Sequence, residues 1–354
     1  MTRRVLTHCR WRAAAPVAIA ALLCAVPAAA QTSTPALSRE AQRYTTLDPD
    51  AVLQAMRMRI DRRTAPASCA AIPAQGLPGL TNSHYYFLSE IGGCAALPCF
   101  LQQVPSTVHD YATLVVDQAC SGANAITETL VLPNRFTLAG VGIDGAGVLG
   151  FDLPDNVPAI RFADSSDVVN RMVSIRDLNI AGGCCNQVGI DVSNSQFVRI
   201  EHVRLQNFAL GLLGDDAFSI LVDGSSIHNN AFNIVIGDNT TAWRVRDSVA
   251  SQGLMGVHMS PTARGHLLSG GRIESNWGPG VRIDGSMNVV ENTWFEGNGA
   301  FASTLYGIWV TGEAQKTRIL GNLFSSQLLG DAGAETRACY NMSFAANSAD
   351  VNQC

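Results

Sequence analysis

An all-β solenoid of stacked parallel strands is the fold class that the sequence predicts, and one recurring apolar pattern is the main reason. The pattern runs apolar, any, apolar, two residues, apolar, any, apolar, and it occurs at 173–180, 198–205 and 220–227. It continues to residue 324 in steps of 22 to 29 residues, with anchors at Ile175, Ile200, Val222, Val245, Leu268, Val290 and Ile319.

A second pattern follows each unit with the same period. It is a short apolar strand, usually begun by glycine, at 189–192, 211–213, 233–236, 256–259, 280–283 and 307–310. Strands this short cannot bury an apolar face alone, so stacked units must share one core. No unit holds a 3.6-residue period long enough for a helix pair, and the leucine and asparagine ladder of leucine-rich repeats is absent. A parallel β-helix is the fold that remains.

The net charge and the pattern of the first 30 residues limit the possible functions and locations of the protein. The chain has 24 basic and 29 acidic residues, a balance that argues against nucleic acid as a partner. Residues 1–30 resemble a secretory signal, with early arginines, an apolar run at 13–26 and alanines at 28–30. We therefore expect a secreted or periplasmic protein with no membrane contact after cleavage, an uncleaved anchor being the alternative.

The number of cysteines is consistent with an exported protein. Eight cysteines follow the signal, an even number that favours disulfides over a zinc site, because paired short spacings with histidine are missing. Cys339 with Cys354 is the favoured pair, since it would close the C-terminal tail. Cys184 and Cys185 could pair with each other or with the N-terminal region.

After the signal, the chain is predicted to consist of an N-terminal cap, a β-helix and a C-terminal tail. Residues 31–125 are predicted to form an N-terminal cap, with an amphipathic helix after Asp48-Pro49 and a cysteine-rich irregular segment at 64–125 that covers the first coil. On the helix, Val52, Leu53, Met56 and Ile60 share one face. The β-helix is assigned to 126–325, with an insert at 144–157, and the C-terminal tail or cap to 326–354.

A resemblance to a known family rests on the run at 129–142 followed by coils of 22 to 25 residues with a two-residue turn between two strands. These features resemble the right-handed parallel β-helix proteins of the pectate-lyase-like superfamily. The resemblance implies a right-handed solenoid and a polysaccharide partner. It leaves the chemistry open, because the superfamily includes lyases, hydrolases, epimerases, esterases, phage tailspikes and non-catalytic members.

In such enzymes the outer face of the glycine-initiated strand lines the polysaccharide groove. The period predicts one outward residue per coil on this strand: Val131, Arg161, Asp191, Leu213, Val235, His258, Arg282 and Trp309. The turn after the strand adds Asn194, Asp215, Asp216, Asp238, Asn239, Ser260 and Asp284. The turn before it adds His228, Asn229, Asn230, Glu274, Asn276, Trp277, Glu296 and Asn298.

Asp216 and Asp238 are the first candidates for catalysis, because neighbouring coils place equivalent atoms about 5 Å apart, near the spacing of retaining-glycosidase carboxylates. Carboxylates this close separate their pKa values, which could keep one as an acid. Asp215 with Asp216 is also similar to the aspartate pair of polygalacturonases. The Gly-His-Gly of that family is absent, however, and the segment at Arg282 lacks its lysine. Asp215, Asp216 and Asp238 could instead hold a calcium ion.

A lyase would need a base beside the carboxylate of its substrate, and His258 next to Arg282 predicts such a base and clamp. Asp191, Trp277 and Trp309 are the predicted substrate-binding residues, since exposed tryptophan stacks on sugar rings. Structural roles compete with each assignment. Aspartate is common in tight turns, and Asp191 could pair with Arg161.

The sequence thus predicts action on an acidic, uronate-containing polysaccharide, as a polysaccharide lyase or a glycoside hydrolase. The alternative is a non-catalytic carbohydrate-binding or surface structural protein. Short turns before the groove strand favour a shallow groove. The oligomeric state is left open by the sequence.

Overall fold

The computed structural model describes residues 49–60, 85–104, 112–143, 147–163, 172–183, 187–299, 306–325 and 328–344. Within these ranges the strands form three sheets of 11, 9 and 9 strands, and every strand pair is parallel. The sheets wind into about nine turns of a right-handed solenoid. The predicted fold class is therefore confirmed.

Strands are numbered here in chain order. The first sheet contains β1 (Tyr85–Phe87), β2 (Ala112–Val116), β4 (Phe136–Gly140), β7 (Val173–Arg176), β10 (Val198–Glu201), β13 (Leu221–Asp223), β16 (Arg244–Arg246), β19 (Leu267–Ser269), β22 (Val289–Glu291), β25 (Arg318–Leu320) and β28 (Arg337–Cys339). The second contains β5 (Val148–Phe151), β8 (Asn179–Gly182), β11 (Arg204–Gln206), β14 (Ser226–His228), β17 (Val249–Ser251), β20 (Arg272–Glu274), β23 (Trp294–Glu296), β26 (Leu323–Phe324) and β29 (Met342–Ser343). The third contains β3 (Leu130–Leu132), β6 (Pro158–Phe162), β9 (Val188–Asp191), β12 (Leu210–Gly214), β15 (Phe232–Ile236), β18 (Met255–Met259), β21 (Val281–Ile283), β24 (Tyr306–Val310) and β27 (Leu328–Asp331).

The repeat anchors form one straight row inside the first sheet. Ile175 pairs with Ile200, which pairs with Val222, and the row continues through Leu268 to Ile319 without a change of register. All of these side chains are buried in the main core. Period-two alternation therefore directs the anchors inward on every coil, as the sequence pattern predicts.

The array of coils is longer than 126–325. Strands β1 and β2 precede that range, and β27, β28 and β29 follow it with continued parallel pairing. The segment at 144–157 is not an insert, because it contains β5, a regular member of the second sheet. The sequence pattern missed these strands because their apolar residues depart from the repeat.

The described part of the N-terminal region contains two helices, α1 (Pro49–Arg57) and α2 (Leu97–Gln103). Leu97, Phe100 and Leu101 of α2 join the main core at its first coils, as expected for a cap. Short 3-10 turns occupy Cys94–Ala96 and Gly122–Asn124. In the described ranges no helix is long and apolar enough to cross a membrane.

Disulfides are present in the N-terminal cap and near the C-terminus. Cys94 is bonded to Cys120, and Cys99 and Cys339 are also disulfide-bonded. The bonding of Cys339 agrees with the prediction for it. Its proposed partner Cys354, the pair Cys184 and Cys185, and the signal at 1–30 all lie outside the described residues, so those assignments stay predictions.

Charged residues on the first sheet form a row across neighbouring strands. Arg176, Glu201, Asp223 and Arg246 occupy equivalent positions on four successive strands. The Arg246 guanidinium donates to the Asp223 carboxylate at 2.7 Å. Such exposed pairs contribute a few tenths of a kcal/mol each.

Buried asparagines satisfy the turns between the second and third sheets. Asn230, Asn276 and Asn298 are fully buried, so they do not flank a groove as the sequence pattern suggests. Asn276 Nδ2 donates to Asn298 Oδ1 at 2.8 Å, and Asn276 Oδ1 accepts from the Gly253 N–H at 3.1 Å. Turns cannot pair all their backbone groups in the ladders, and these amides supply the missing partners.

A buried histidine also supplies a hydrogen-bond partner for a backbone group, at the point where the chain enters the first sheet. The ring nitrogen Nδ1 of His266 accepts from the backbone N–H of Trp243 at 3.1 Å. The backbone N–H of His266 donates to Asn288 Oδ1 at 3.0 Å. Burial lowers the pKa of His266 to about 4, although its hydrogen bond at Thr240 acts in the opposite direction. The ring is therefore neutral at pH 7.

We expect the free energy of unfolding to depend less on pH in His266→Asn than in the wild type. Because the folded pKa lies below the unfolded value of about 6.5, stability falls as the pH drops from about 6.5 to 4, by about 3 kcal/mol in total. Asparagine keeps an acceptor for Trp243, as Asn288 does for His266. Urea unfolding at several pH values measures the difference. His202→Asn, at an exposed histidine, is the control and should follow the wild type.

Candidate functional site

The outer face of the third sheet carries the predicted row of one residue per coil. Asp191 pairs with Leu213, Leu213 with Val235, Val235 with His258, His258 with Arg282, and Arg282 with Trp309. Val131 and Arg161 extend the row toward the N-terminus. The order and spacing of these residues are therefore as predicted. Their roles remain predictions.

Helix α1 lies on the centre of this face. Its Leu53 is fully buried, and Met56 and Ile60, which follows the helix, pack beside it, so three of the four residues predicted to share one face do so. The sheet residues in this cluster are Val188, Leu210, Leu213, Ala231, Phe232, Val235 and Met255. The sequence did not place the helix here, but Leu213 and Val235 were a signal. Two adjacent apolar side chains pointing outward from a sheet need a cover.

Arg57 at the end of α1 holds two of the candidate aspartates. Its guanidinium donates to the carboxylate of Asp215, to Asp238 Oδ2 at 2.8 Å and to Ser260 Oγ at 3.4 Å. The Asp215 carboxylate fits because residue 237 is glycine: a Cβ there would lie 1.9 Å from Asp215 Oδ1. These contacts make Asp215 and Asp238 the attachment point of α1.

The carboxylates of Asp216 and Asp238, the predicted catalytic pair, have different side-chain partners. The side chain of Asp216 is exposed and accepts from Asn239 Nδ2 at 3.1 Å. Asp238 turns instead to Arg57 and to Thr262 Oγ1, which donates to it at 3.1 Å. Asp216 has a φ of 50°, a left-handed backbone conformation that Asn239 on the next coil shares at 54°.

The calcium hypothesis finds no support in this geometry. Across the described ranges, no three His, Cys, Asp or Glu side chains converge on a position for a metal ion. A guanidinium already lies between Asp215 and Asp238. The residues present therefore do not fit a calcium ion.

A second polar cluster lies on the next coils, around Asp284. His258 Nε2 and Asp284 Oδ2 are 2.9 Å apart, and Arg282 Nε donates to both oxygens of Asp284 at 3.0 and 3.1 Å. The guanidinium carbon of Arg282 lies 4.6 Å from the centre of the Trp309 ring, a cation–π contact. Trp309 is half-buried and stacks on Tyr306. The predicted pair of His258 and Arg282 is thus joined through Asp284.

The electrostatics of this cluster fix the hydrogen on the histidine ring. Burial raises the pKa of Asp284, but the hydrogen bond and charge of His258, the charge of Arg282 and a hydrogen bond from Thr311 together lower it below its ordinary value. Asp284 is therefore ionised and accepts. In neutral His258 the hydrogen then sits on Nε2, which leaves Nδ1 with a lone pair.

The cluster lines a pocket of about 410 Å³. His258, Arg282, Asp284 and Trp309 form one side. The other residues around it are Leu53 and Gln54 of α1, and Pro261, Thr311, Gly312 and Glu313 from the turns. Glu313 and Gln54 could not be found from the repeat, because turns and α1 fall outside its period.

Two other predicted binding residues lie away from this pocket. Asp191 is buried, and its Oδ1 accepts from the Ser193 N–H at 3.0 Å, a local turn contact. Trp277 is half-buried in the turn after β20. Neither belongs to the lining of the pocket. Their predicted contact with a substrate remains untested.

These features define a parallel β-solenoid with a polar pocket on its third sheet. The sequence matches the family described as "Right handed beta helix region" over residues 158–349, which is more than half of the chain. The chain belongs to this family. No curated protein sequence matched it.

Several solved structures share the fold. DFA-IIIase from Arthrobacter chlorophenolicus A6 without its lid is 12% identical with a TM-score of 0.57, over 76% of this chain and 91% of that one. ORF18 of Geobacillus virus E2 is 12% identical with a TM-score of 0.56, over 75% and 61%. The Dettilon tailspike protein (gp208) is 13% identical with a TM-score of 0.51, over 65% and 48%. The chain thus spans less than two thirds of ORF18 and of the tailspike protein, and these likenesses concern the fold alone.

Proposed function

We propose that the protein is exported and acts on a uronate-containing polysaccharide by β-elimination at the pocket of His258, Arg282 and Trp309. The observation that carries this proposal is the contact of Asp284 with both His258 Nε2 and Arg282 Nε. It leaves His258 Nδ1 as a proton acceptor on the coil next to a guanidinium. A base beside a cation is what abstraction of a proton next to a carboxylate requires.

The reaction would proceed as follows. His258 Nδ1 takes the proton from the carbon next to the uronate carboxylate, and Arg282 stabilises the negative charge that develops there. The electron pair forms a carbon–carbon double bond and expels the glycosidic oxygen, which takes up a proton. Trp309 offers an aromatic edge near the sugar, since its ring already contacts Arg282 and Tyr306.

Hydrolysis by paired carboxylates fits the same residues less well. Asp215 and Asp238 are bound to Arg57, and Asp216 is exposed on the turn. Asp284 has a lowered pKa, so it does not serve as a general acid at neutral pH. The similar structures include DFA-IIIase in complex with DFA-III, which supports a ligand-binding role for this fold.

A non-catalytic carbohydrate-binding role is the second candidate. The observation that favours it is the burial of His258, which is only 4% exposed beneath its neighbours. A histidine that never meets a substrate would only hold Asp284 and the fold around it.

The experiment is incubation of the mature protein with a panel of uronate-containing polysaccharides. Absorbance of the unsaturated product and new reducing ends are followed together. The wild type and Leu53→Asp/Arg57→Gln, which loosens α1, are both assayed. We expect both signals to appear. His258→Asn and Arg282→Ala should each lower the rate of product formation by a factor of at least about 100.

Asp216→Asn is the matched control, because Asp216 is exposed and outside the pocket. It should retain full activity. Reducing ends without absorbance would replace β-elimination by hydrolysis. Silence of both signals in both proteins, with polysaccharide binding retained, would establish the non-catalytic role.

A further inference from the structure

We propose that α1 is a displaceable cover of the His258 pocket, so that the site has a closed state, seen here, and an open state. The purpose of opening, admission of a polysaccharide to His258, rests on the proposed function. The covering itself does not, because it is a property of contacts that can be tested without any substrate.

The first observation is that the proposed base is unreachable in the closed state. His258 Nδ1 is buried and makes no hydrogen bond within the described part of the chain. Nε2 is already used by Asp284. A buried nitrogen without a partner is unfavourable and rare, and it calls for an explanation. Access for a substrate after α1 moves away supplies one.

The second observation is the way α1 is attached. It lines the pocket with Leu53 and Gln54 and packs on the sheet through Leu53, Met56 and Ile60. Arg57 supplies its ion pairs to Asp215 and Asp238. These are all side-chain contacts. The backbone N–H groups of residues 58–60 donate within the same segment rather than to the sheet.

The third observation is that the sheet under α1 is complete without it. β9, β12, β15 and β18 pair with one another along the third sheet. Their inward side chains belong to the main core, which is a separate cluster from the one that includes Leu53. Removing α1 therefore exposes the outer face of the sheet without breaking a strand ladder. An element attached in this way can open while the solenoid stays folded.

The turn directly after α1 provides a control. Met58 is 80% exposed and Arg59 is also exposed, so neither side chain packs on the sheet. Leu53→Asp/Arg57→Gln changes one apolar residue and one arginine on the covering face. Met58→Asp/Arg59→Gln likewise changes one apolar residue to aspartate and one arginine to glutamine, but in the exposed turn.

The test is the rate at which diethyl pyrocarbonate modifies each histidine of the full-length mature protein, measured by peptide mass spectrometry. His202, whose side chain is 69% exposed, reports reagent activity, and His266, which is buried inside the solenoid, reports global unfolding. In the wild type His258 should react far more slowly than His202. In Leu53→Asp/Arg57→Gln we expect His258 to react at least tenfold faster, with His266 still protected. Met58→Asp/Arg59→Gln should match the wild type.

Hydrogen exchange of the wild type gives a second measurement that needs no variant. Amides of 50–60 should exchange at least tenfold faster than those of β15 and β18 under native conditions. The proposal is overturned if α1 is protected as strongly as these strands, or if His258 stays as unreactive as His266 in Leu53→Asp/Arg57→Gln. An increase at His258 in a protein that cleaves no polysaccharide would keep the cover and reject the proposed reaction.

Discussion

Replacement of Asn276 by leucine is expected to lower the free energy of unfolding by about 3 kcal/mol, because it leaves buried backbone groups without partners. Asn276 Oδ1 accepts from the Gly253 N–H and from Asn233 Nδ2, at 3.1 and 3.2 Å. Its Nδ2 donates to the Ala250 carbonyl and to Asn298 Oδ1. Leucine has a similar volume but none of these groups, so the polar contacts are lost without a large cavity.

Equilibrium unfolding in urea measures this effect. Asn124→Leu is the matched control, since Asn124 is exposed, and its change should stay within about 0.5 kcal/mol of the wild type. A loss at Asn276 no greater than that at Asn124 would show that the buried amides do not hold the coils together. Far-ultraviolet circular dichroism should show that both variants retain the β-solenoid at low denaturant.

The regular coils could be predicted from the sequence because each strand position is set by local alternation and each coil repeats the last. Ile200, Val222 and Val245 stack in register for this reason, and so do His258, Arg282 and Trp309 on the outer face. A register of this kind needs no knowledge of distant contacts. The repeat alone is therefore sufficient for the fold and for the order of the outward row.

The position of α1 could not be predicted in the same way. Its stripe of Leu53, Met56 and Ile60 indicates that a helix packs on something, but the partner surface is more than a hundred residues away in the chain. The ion pairs of Arg57 with Asp215 and Asp238 depend on that long-range docking. Only the outward Leu213 and Val235 show from the sequence that this part of the sheet is covered.

The repeat also could not indicate which of Asp215 and Asp216 contacts α1. The period assigns both to the same turn, and only the contact with Arg57 shows that the Asp215 carboxylate faces α1. The role of Asp284 could not be predicted from the repeat either, because aspartates in turns often have purely structural roles. Its importance comes from two neighbours on the row, His258 and Arg282, that converge on it in three dimensions.

Replacement of Asp284 by asparagine is expected to lower the free energy of unfolding by about 3 kcal/mol. The Asp284 side chain is 6% exposed and that of Arg282 13%, so the change leaves a guanidinium largely buried beside a neutral amide. Loss of one partner of a buried ion pair is strongly destabilising for this reason. Urea unfolding at pH 7 measures it, with Asp216→Asn as the exposed control.

The pH dependence provides a check on the cause. The folded pKa of Asp284 lies below its ordinary value, so its contribution is present above an unfolded pKa of about 3.9 and is lost as the pH falls through the lowered folded value. The difference between the wild type and Asp284→Asn should therefore be constant from pH 5 to 8 and shrink in more acidic solution. A difference that stays constant below pH 4 would mean that the charge of Asp284 is not the source of the stability.

The same variant tests the role of Asp284 in the proposed reaction. Asparagine can present its amide N–H to His258 Nε2, which would move the ring hydrogen to Nδ1 and remove the lone pair that the reaction needs. Product formation should then fall by about 10⁴-fold, as expected when a histidine is held in the wrong tautomer. Arg282→Met/Asp284→Leu removes both charges and should recover stability but not activity. If this double variant were as unstable as Asp284→Asn, the unpaired guanidinium would not be the cause of the loss.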